Sequence, residues 1–115
     1  MQLNAISKQY GVSLDTLKRF IEVGVLEGLE YDIKKDIYGD KAVKRLEECI
    51  CLYSLGMSVE TVKRYLLLEN SKEDTIEERI HILQQQRNQN LKNVHATKKK
   101  MDCIDCILHE IKMNR

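Results

Sequence analysis

Residues 12–26, "VSLDTLKRFIEVGVL", decide how the amino-terminal half of the chain folds. Apolar side chains recur there at the spacing of one helical face, at Leu14, Leu17 and Ile21. Ser13 precedes them as a favourable N-cap residue, and Gly24 is placed to end the helix. The stretch therefore predicts a short helix over roughly residues 13–22.

The polar side of this predicted helix carries two adjacent cations, Lys18 and Arg19. A basic edge suits a helix that reads DNA, yet Asp15 stands where such a helix would be expected to carry a positive charge. Two interpretations of Asp15 stay open. It could accept a hydrogen bond from a cytosine amino group in the major groove. The simpler interpretation is that an acid in the first turn of a helix is favoured by the helix dipole.

The composition is that of an ordinary soluble helical protein. The 115 residues are 32% charged and 43% apolar, which predicts one domain with an extension. No apolar run approaches the ~18 residues that span a bilayer. The opening "MQLNAISKQY" lacks the charged block and the apolar block of a signal peptide. The four cysteines are then expected as thiols in a reducing cytosol, so we expect a cytoplasmic protein with no membrane partner.

The net charge gives little support to nucleic-acid binding. It is +1 for the whole chain. Residues 1–70 hold 10 Lys and Arg against 11 Asp and Glu, a net of −1, whereas residues 71–115 hold 9 against 7, a net of +2. Any DNA contact by the first half must come from the local placement of its cations.

The elements around this helix can be predicted from the capping, glycine and turn residues that bound them. A first short helix is expected from a cap at Asn4 to a C′ glycine at Gly11. After the second helix, apolar and polar residues alternate with the period of a strand, at Leu29, Tyr31 and Ile33. We expect a hairpin whose tip is residues 34–36, "KKD", and whose returning strand is 37–38, "IY".

Two further helices follow the predicted hairpin. Asp40 is expected to cap a helix over 41–54, which Gly56 ends, and Ser58 to cap the next one. The inner stripe predicted for the helix over 41–54 is Val43, Leu46, Ile50 and Tyr53.

The last segment, from about residue 72 to 113, contains no Gly or Pro and predicts one helix about 60 Å long, which needs a partner. Its heptad positions a are Ile80, Arg87, Val94, Met101 and Leu108, and its positions d are Ile76, Leu83, Asn90, Thr97, Ile104 and Ile111. A parallel pair would place Arg87 against Arg87, which is costly. An antiparallel pair sets Ile76 against Leu108, Ile80 against Ile104 and Leu83 against Met101. We predict an antiparallel homodimer; a hairpin within one chain is the alternative, which the lack of a turn residue disfavours.

Two motifs in the first half resemble the MerR family of transcriptional regulators. The family signature V-S-x-x-T-L-R-Y-Y…G-L-L is matched by Val12, Ser13, Thr16, Leu17, Lys18, Arg19 and Phe20, followed by Gly24, Val25 and Leu26. The family segment Y-S-x-x-D-L-x-R-L…L-G-F-S-L-E-E-I-K is matched at Tyr38, Leu46, Leu55, Gly56, Ser58 and Lys63. The resemblance covers residues 3–70, with both motifs in register and joined by a wing of the right length.

The resemblance implies a mostly helical fold: a winged helix-turn-helix DNA-binding domain over residues 1–70 and an antiparallel coiled-coil dimerisation helix over 71–115. It implies a sequence-specific regulator that binds promoter DNA as a homodimer and distorts the DNA between the −35 and −10 elements, with RNA polymerase as a further candidate partner. The predicted DNA-binding residues are Ser13, Asp15, Thr16, Lys18, Arg19, Lys34, Lys35, Tyr38 and Lys63. The family's carboxyl-terminal effector domain is expected to be missing, as in a short form.

Several positions depart from the family pattern. Arg19-Phe20 replaces the usual Tyr-Tyr pair, and residues 34–36 replace the Gly-Tyr-Arg of the wing. Asp15 and Asp36 carry negative charges, which repel phosphate. They motivate a rival hypothesis: a winged-helix module that binds another protein, or a related regulator as a heterodimer, with weak or no DNA binding.

The cysteines and histidines provide one candidate metal or thiol site. Cys49 and Cys51 are expected to be buried small hydrophobic residues. Cys103, Cys106 and His109 are spaced by three along the outer face of the long helix, where two thiolates and an imidazole could act as zinc ligands. The histidines His81, His95 and His109 all fall at b positions and are expected to be solvated. No catalytic grouping is apparent, so we expect no enzyme and no cofactor.

Overall fold

The computed structural model describes residues 1–115. Its elements, in chain order, are α1 (Leu3–Tyr10), α2 (Leu14–Glu22), β1 (Tyr31–Asp32), β2 (Ile37–Tyr38), α3 (Asp40–Ser54), α4 (Val59–Glu69) and α5 (Ile76–Met113). β1 and β2 form a two-stranded antiparallel sheet. This confirms the predicted fold class of a winged helix-turn-helix followed by a long helix that fits a coiled coil.

The chain divides into two units, Met1–Ile80 and His81–Arg115. The first unit, called the head below, has a core of apolar side chains from α1 to α4 and the loop after α2. The largest of those that are fully buried are Phe20, Ile6, Leu17, Leu26, Leu46, Val59 and Val62. The Phe20 ring also meets Tyr53 edge to face, with the ring centroids 5.7 Å apart. Phe20 and Leu17 thus anchor α2 by its apolar face, which leaves the polar face in solvent.

Serine caps fix the starts of α2 and α4 as predicted. Ser13 Oγ accepts a hydrogen bond from the Thr16 amide at 3.1 Å, and Ser58 Oγ accepts one from the Thr61 amide at 3.2 Å. Each bond satisfies one of the amides that the first turn of a helix leaves without an intrahelical partner. Gly11 ends α1 in the left-handed conformation with φ 66°, also as predicted.

Two predicted caps are wrong by one or two residues. The N-cap of α1 is Gln2 rather than Asn4, because the free amide of Leu3 finds its acceptor across the fold, at Asp36 Oδ1. The N-cap of α3 is Gly39, and Asp40 lies in the first turn. Gly39 donates its amide to the Glu30 carbonyl, and a Cβ at this position would stand only 3.0 Å from that oxygen.

The buried stripe of α3 differs from the predicted one by a small rotation about the helix axis. Ala42, Leu46, Cys49 and Ile50 are its buried residues, whereas Val43 and Tyr53 are only half-buried. Both sets have helical spacing, so the sequence pattern alone could not choose between them.

The long helix α5 begins at Ile76 rather than near residue 72. Asp74 Oδ1 accepts the Ile76 amide, and the Thr75 hydroxyl donates to the Leu68 carbonyl, so residues 74 and 75 are held as the entry to the helix. The helix is continuous to Met113, which excludes the alternative of a hairpin within one chain. The apolar residues at its a and d positions are 38–61% exposed: Ile76, Ile80, Leu83, Val94, Met101, Ile104, Leu108 and Ile111. None of the chain's helices is both long enough and apolar enough to span a membrane.

Candidate nucleic-acid interface

The first turn of α2 presents two hydroxyl groups and one carboxylate. Ser13 Oγ and Thr16 Oγ1 lie 2.9 Å apart, so the cap also fixes the position of the threonine side chain. Asp15 is exposed in the same turn, where the helix dipole favours an acid. This accounts for Asp15 structurally, and its contact with a base remains a prediction, as do those of Ser13 and Thr16.

Lys18 and Arg19 are both exposed on the polar face of α2. Arg19 Nη2 is hydrogen-bonded at 3.1 Å to Glu60 Oε1, in the first turn of α4. This ion pair joins α2 to α4 at the surface of the head, and the sequence analysis did not anticipate it. A separation of 41 residues gives no local pattern from which the pair could have been predicted.

The wing is a short hairpin whose tip carries two cations. Tyr31 pairs with Tyr38 across the strands, and their rings stack with centroids 6.0 Å apart. Lys34 and Lys35 are exposed in the turn, and the Lys35 amide donates to Asp32 Oδ1 at 3.2 Å. The hairpin and its tip agree with the prediction, and the two ammonium groups stand where a nearby phosphate could reach them.

Asp36 has a structural role that the sequence analysis did not identify. Its φ is 54°, the left-handed region that Asp and Asn tolerate better than other residues with a Cβ. Its Oδ1 atom accepts the Leu3 amide at 3.0 Å, which connects the wing to the first turn of α1. A negative charge in the wing is therefore explained without any reference to a partner.

Tyr38, one of the predicted DNA-binding residues, is buried in the head. Its side chain is only 4% exposed, because the ring packs against Tyr31 and inside the head. Burial, followed by the charges of Asp36 and Tyr31, raises the pKa of the Tyr38 phenol. Its backbone pairs with Met1 in both directions, at 3.1 and 3.2 Å, so the first residue of the chain is held beside β2. Tyr38 supports the wing from within, and its contact with DNA remains a prediction.

A groove of about 430 Å³ separates the wing from α2. Leu14, Lys18 and Ile21 line its α2 side, and Ile33 lines its wing side. The groove therefore lies between the two cationic features of the head, Lys18 on α2 and the lysines at the tip of the wing. A strand of nucleic acid that touched both would cross it.

Lys63 lies on α4 and is half-buried. It lines a second depression together with Glu27 and Arg45. An acid and a second base thus surround its ammonium group, and DNA binding by Lys63 remains a prediction.

The cysteines fall into two environments. Cys49 is fully buried, as predicted, and burial raises the pKa of its thiol to about 12. Cys51 is exposed, so the prediction that both are buried is wrong: two residues along a helix turn the side chain by about 200°, to the opposite face. Cys103 and Cys106 are exposed on α5, and no group of three or more His, Cys, Asp and Glu side chains is arranged to hold a metal ion, the set of Cys103, Cys106 and His109 included. The three histidines are exposed, in agreement with the prediction.

A helix-turn-helix with exposed cations on its second helix and at the tip of its wing defines a class of protein, the DNA-binding transcriptional regulators. Within that class, the chain belongs to the MerR HTH family of regulatory proteins, whose family model matches residues 1–69.

Named relatives agree with this assignment. The chain is 28% identical over 91 residues to the HTH-type transcriptional regulator AdhR of Bacillus subtilis (strain 168), a match that covers 76% of this chain and 63% of AdhR. The matched part thus spans less than two thirds of the length of that relative.

Two solved structures share the fold over almost the whole chain. A MerR family transcriptional regulator from Bacillus thuringiensis is similar with a TM-score of 0.69 and 22% identity, covering 96% of this chain and 97% of that one. HiNmlR, a MerR family regulator lacking the sensor domain and solved bound to promoter DNA, is similar with a TM-score of 0.68 and 25% identity, covering 93% and 86%.

Proposed function

We propose that this protein is a homodimeric transcriptional regulator that binds a pseudo-palindromic promoter duplex through its two heads. The observation that carries the proposal is the combination, in one chain of the MerR family, of Lys18 and Arg19 exposed on α2 with Lys34 and Lys35 exposed at the tip of the wing. Each head would place α2 in a major groove and the wing against the neighbouring backbone. HiNmlR, which has a similar fold, was solved on promoter DNA, and this supports the proposal.

In this proposal the side chains have separate tasks. Lys18, Arg19, Lys34 and Lys35 contact phosphates, which position the protein without reading sequence. Ser13, Asp15 and Thr16, at the exposed start of α2, are the residues closest to the base edges. Lys63 would add a phosphate contact from α4. At the promoter the dimer would act on transcription by RNA polymerase through the shape of the bound DNA.

Dimerisation through α5 is the second part of the proposal. The eight exposed apolar side chains at a and d positions are an unusual feature for a helix in water, because each would contribute roughly 1.5–3 kcal/mol when fully buried. Leu91 and Ile107, at positions e and g, are exposed as well and would flank the seam. A second copy in the antiparallel register covers these side chains and brings the polar Arg87, Asn90 and Thr97 together near the centre.

DNA binding is tested by titrating the purified protein against the duplex upstream of its own gene at several salt concentrations. We expect a specific complex whose affinity falls steeply with salt, because each neutralised phosphate adds about 0.9 to the slope of log K against log salt. Replacing Lys34 and Lys35 together by Gln should lower that slope by about two in each head that binds. Failure of the dimeric protein to bind this duplex even at low salt would refute the proposal for that site.

The register of the dimer is tested by disulfide formation. The exposed cysteines are first replaced by Ser, at Cys51, Cys103 and Cys106. In the antiparallel register Leu83 faces Met101 of the other chain, so the double variant Leu83→Cys/Met101→Cys should form a covalent dimer on mild oxidation. The single variant Leu83→Cys is the matched control and should stay non-covalent. In a parallel coil the single variant would form a covalent dimer as well, since position 83 would then meet itself, and that result would refute the antiparallel register.

A further inference from the structure

The ion pair between Arg19 and Glu60 lies at the surface of the head, beside the predicted DNA contacts. The two side chains are 56% and 68% exposed, and the Nη2–Oε1 distance is 3.1 Å. Arg19 stands in the last turn of α2 and Glu60 in the first turn of α4. The pair is therefore open to an approaching phosphate and is not part of the core.

Arg19 differs from the other cations that were predicted to reach phosphates. No carboxylate lies within ion-pair distance of Lys18, Lys34 or Lys35, whereas Glu60 balances the charge of Arg19. A guanidinium group binds phosphate and carboxylate oxygens by the same planar donors, so the two anions compete for it. An exposed pair contributes only about 0.2–1 kcal/mol. A phosphate can therefore replace the carboxylate, but at a cost to the affinity.

No hydrogen bond joins the Glu60 side chain to any other residue of α4. The cap of that helix is made by Ser58, which accepts the amide of Thr61, and the contact that Glu60 makes is the one with Arg19. Removing the charge of Glu60 therefore leaves the cap of α4 intact.

We propose that Glu60 limits the DNA affinity of the head by occupying Arg19. Glu60 is then a positioning residue, which acts on DNA through the guanidinium of its partner. This inference rests on the proposed DNA-binding function. It predicts that a neutral residue at position 60 makes Arg19 available for one more phosphate contact per head.

The experiment compares Glu60→Gln, Arg19→Gln and the double variant with the unchanged protein, as dimers, on two duplexes of equal length. One duplex is the region upstream of the gene and the other has an unrelated sequence, since phosphate contacts do not depend on sequence. Glu69→Gln is the matched control, because it removes the same charge from an exposed position at the other end of α4. Thermal unfolding of each variant separates effects on folding from effects on binding.

We expect Glu60→Gln to bind DNA more tightly at low salt, by roughly 1.4- to 5-fold for each head that binds, the factor that corresponds to an exposed ion pair. Its slope of log K against log salt should steepen by about 0.9 for each head. In the Arg19→Gln background the same change should have no effect on affinity or slope. Glu69→Gln should bind like the unchanged protein.

Three results would overturn the inference. One is an unchanged or weaker affinity for Glu60→Gln while the unchanged protein binds. Another is an equal gain in affinity from Glu60→Gln when Arg19 is replaced by Gln, and the third is an equal gain in affinity for Glu69→Gln. Either of these two would show that Glu60 acts only through general repulsion of phosphate. If no version of the protein binds either duplex at low salt, the proposed function fails together with this inference, and that outcome is distinct from the other three.

Discussion

Replacing Asp36 tests whether one carboxylate joins the wing to α1. Asp36→Ala removes two things at once: the acceptor for the Leu3 amide, at 3.0 Å, and a residue type that tolerates φ 54°. The lost hydrogen bond is worth about 0.5–1.5 kcal/mol. A left-handed backbone conformation destabilises an ordinary residue with a Cβ by a further 1–2 kcal/mol or so, and Asp by less than that. We therefore expect Asp36→Ala to lower the free energy of unfolding by about 1.5–3 kcal/mol.

Two further substitutions separate these terms. Asp36→Asn keeps an acceptor oxygen and the tolerance of positive φ, so it should cost less than about 1 kcal/mol. Asp36→Gly removes the backbone strain, but it also removes the hydrogen-bond acceptor and gives the unfolded chain more conformational freedom. The stability of this variant should therefore lie between those of Asp36→Asn and Asp36→Ala. The order of stability is expected to be Asp, Asn, Gly, Ala.

The assay is urea unfolding followed by circular dichroism at one fixed protein concentration, because a dimer unfolds in a concentration-dependent way. If Asp36→Ala is no less stable than Asp36→Asn, the carboxylate does not join the wing to α1 and the reasoning is wrong. If Gly and Ala are equally destabilising, the hydrogen bond alone matters and the backbone strain is negligible.

Three other predictions concern the cysteines, the cap of α2 and the coil. Because the pKa of Cys49 is about 12 and its thiol is buried, iodoacetamide at pH 8 should label Cys51, Cys103 and Cys106 in the folded protein and Cys49 only in urea, as mass spectrometry of peptides would show. A raised pKa also means that the folded state holds a proton which the unfolded thiol loses, so the contribution of Cys49 to stability should fall as the pH rises above the ordinary thiol range toward 12. Ser13→Ala should cost about 0.5–2 kcal/mol of stability by urea unfolding, whereas Ser13→Asp should cost little. Residues 83–101 contain five Lys and Arg and no acid, and in the antiparallel register this stretch faces its own copy; higher salt should therefore tighten the dimer in sedimentation equilibrium while it weakens DNA binding.

The elements of the head could be predicted because their signals are local. Ser13 and Ser58 each precede a helical run of apolar residues, Gly11 follows one, and the strand period around Tyr31 indicated the wing. A cap hydrogen bond spans three residues, so the sequence contains both partners within one turn. The same holds for the continuous helix α5, which no Gly or Pro interrupts.

The features that escaped prediction depend on contacts between distant residues. Asp36 caps α1 from 33 residues away, and Arg19 meets Glu60 across 41 residues. The burial of Tyr38 depends on Met1 and Tyr31, which pack on it from two other segments. A single sequence gives the type of each residue but no sign of which remote partner it finds, so the DNA-binding set could be named only by resemblance and included one residue of the interior.

These long-range contacts also change what the net charge of the head means. The excess of one acid over the bases in residues 1–70 was, together with Asp15 and Asp36, an argument for a protein-binding module without DNA affinity. Several of those acids have partners inside the head: Asp36 accepts the Leu3 amide, Glu47 accepts the Tyr10 hydroxyl at 2.7 Å, and Glu48 lies 3.7 Å from Arg45. The cations of the wing tip and Lys18 have no such partners and are exposed, and Lys18 lines the groove beside the wing. A phosphate responds to the charges within about one Debye length and not to the total, so a head of net charge −1 can present a cationic surface to DNA.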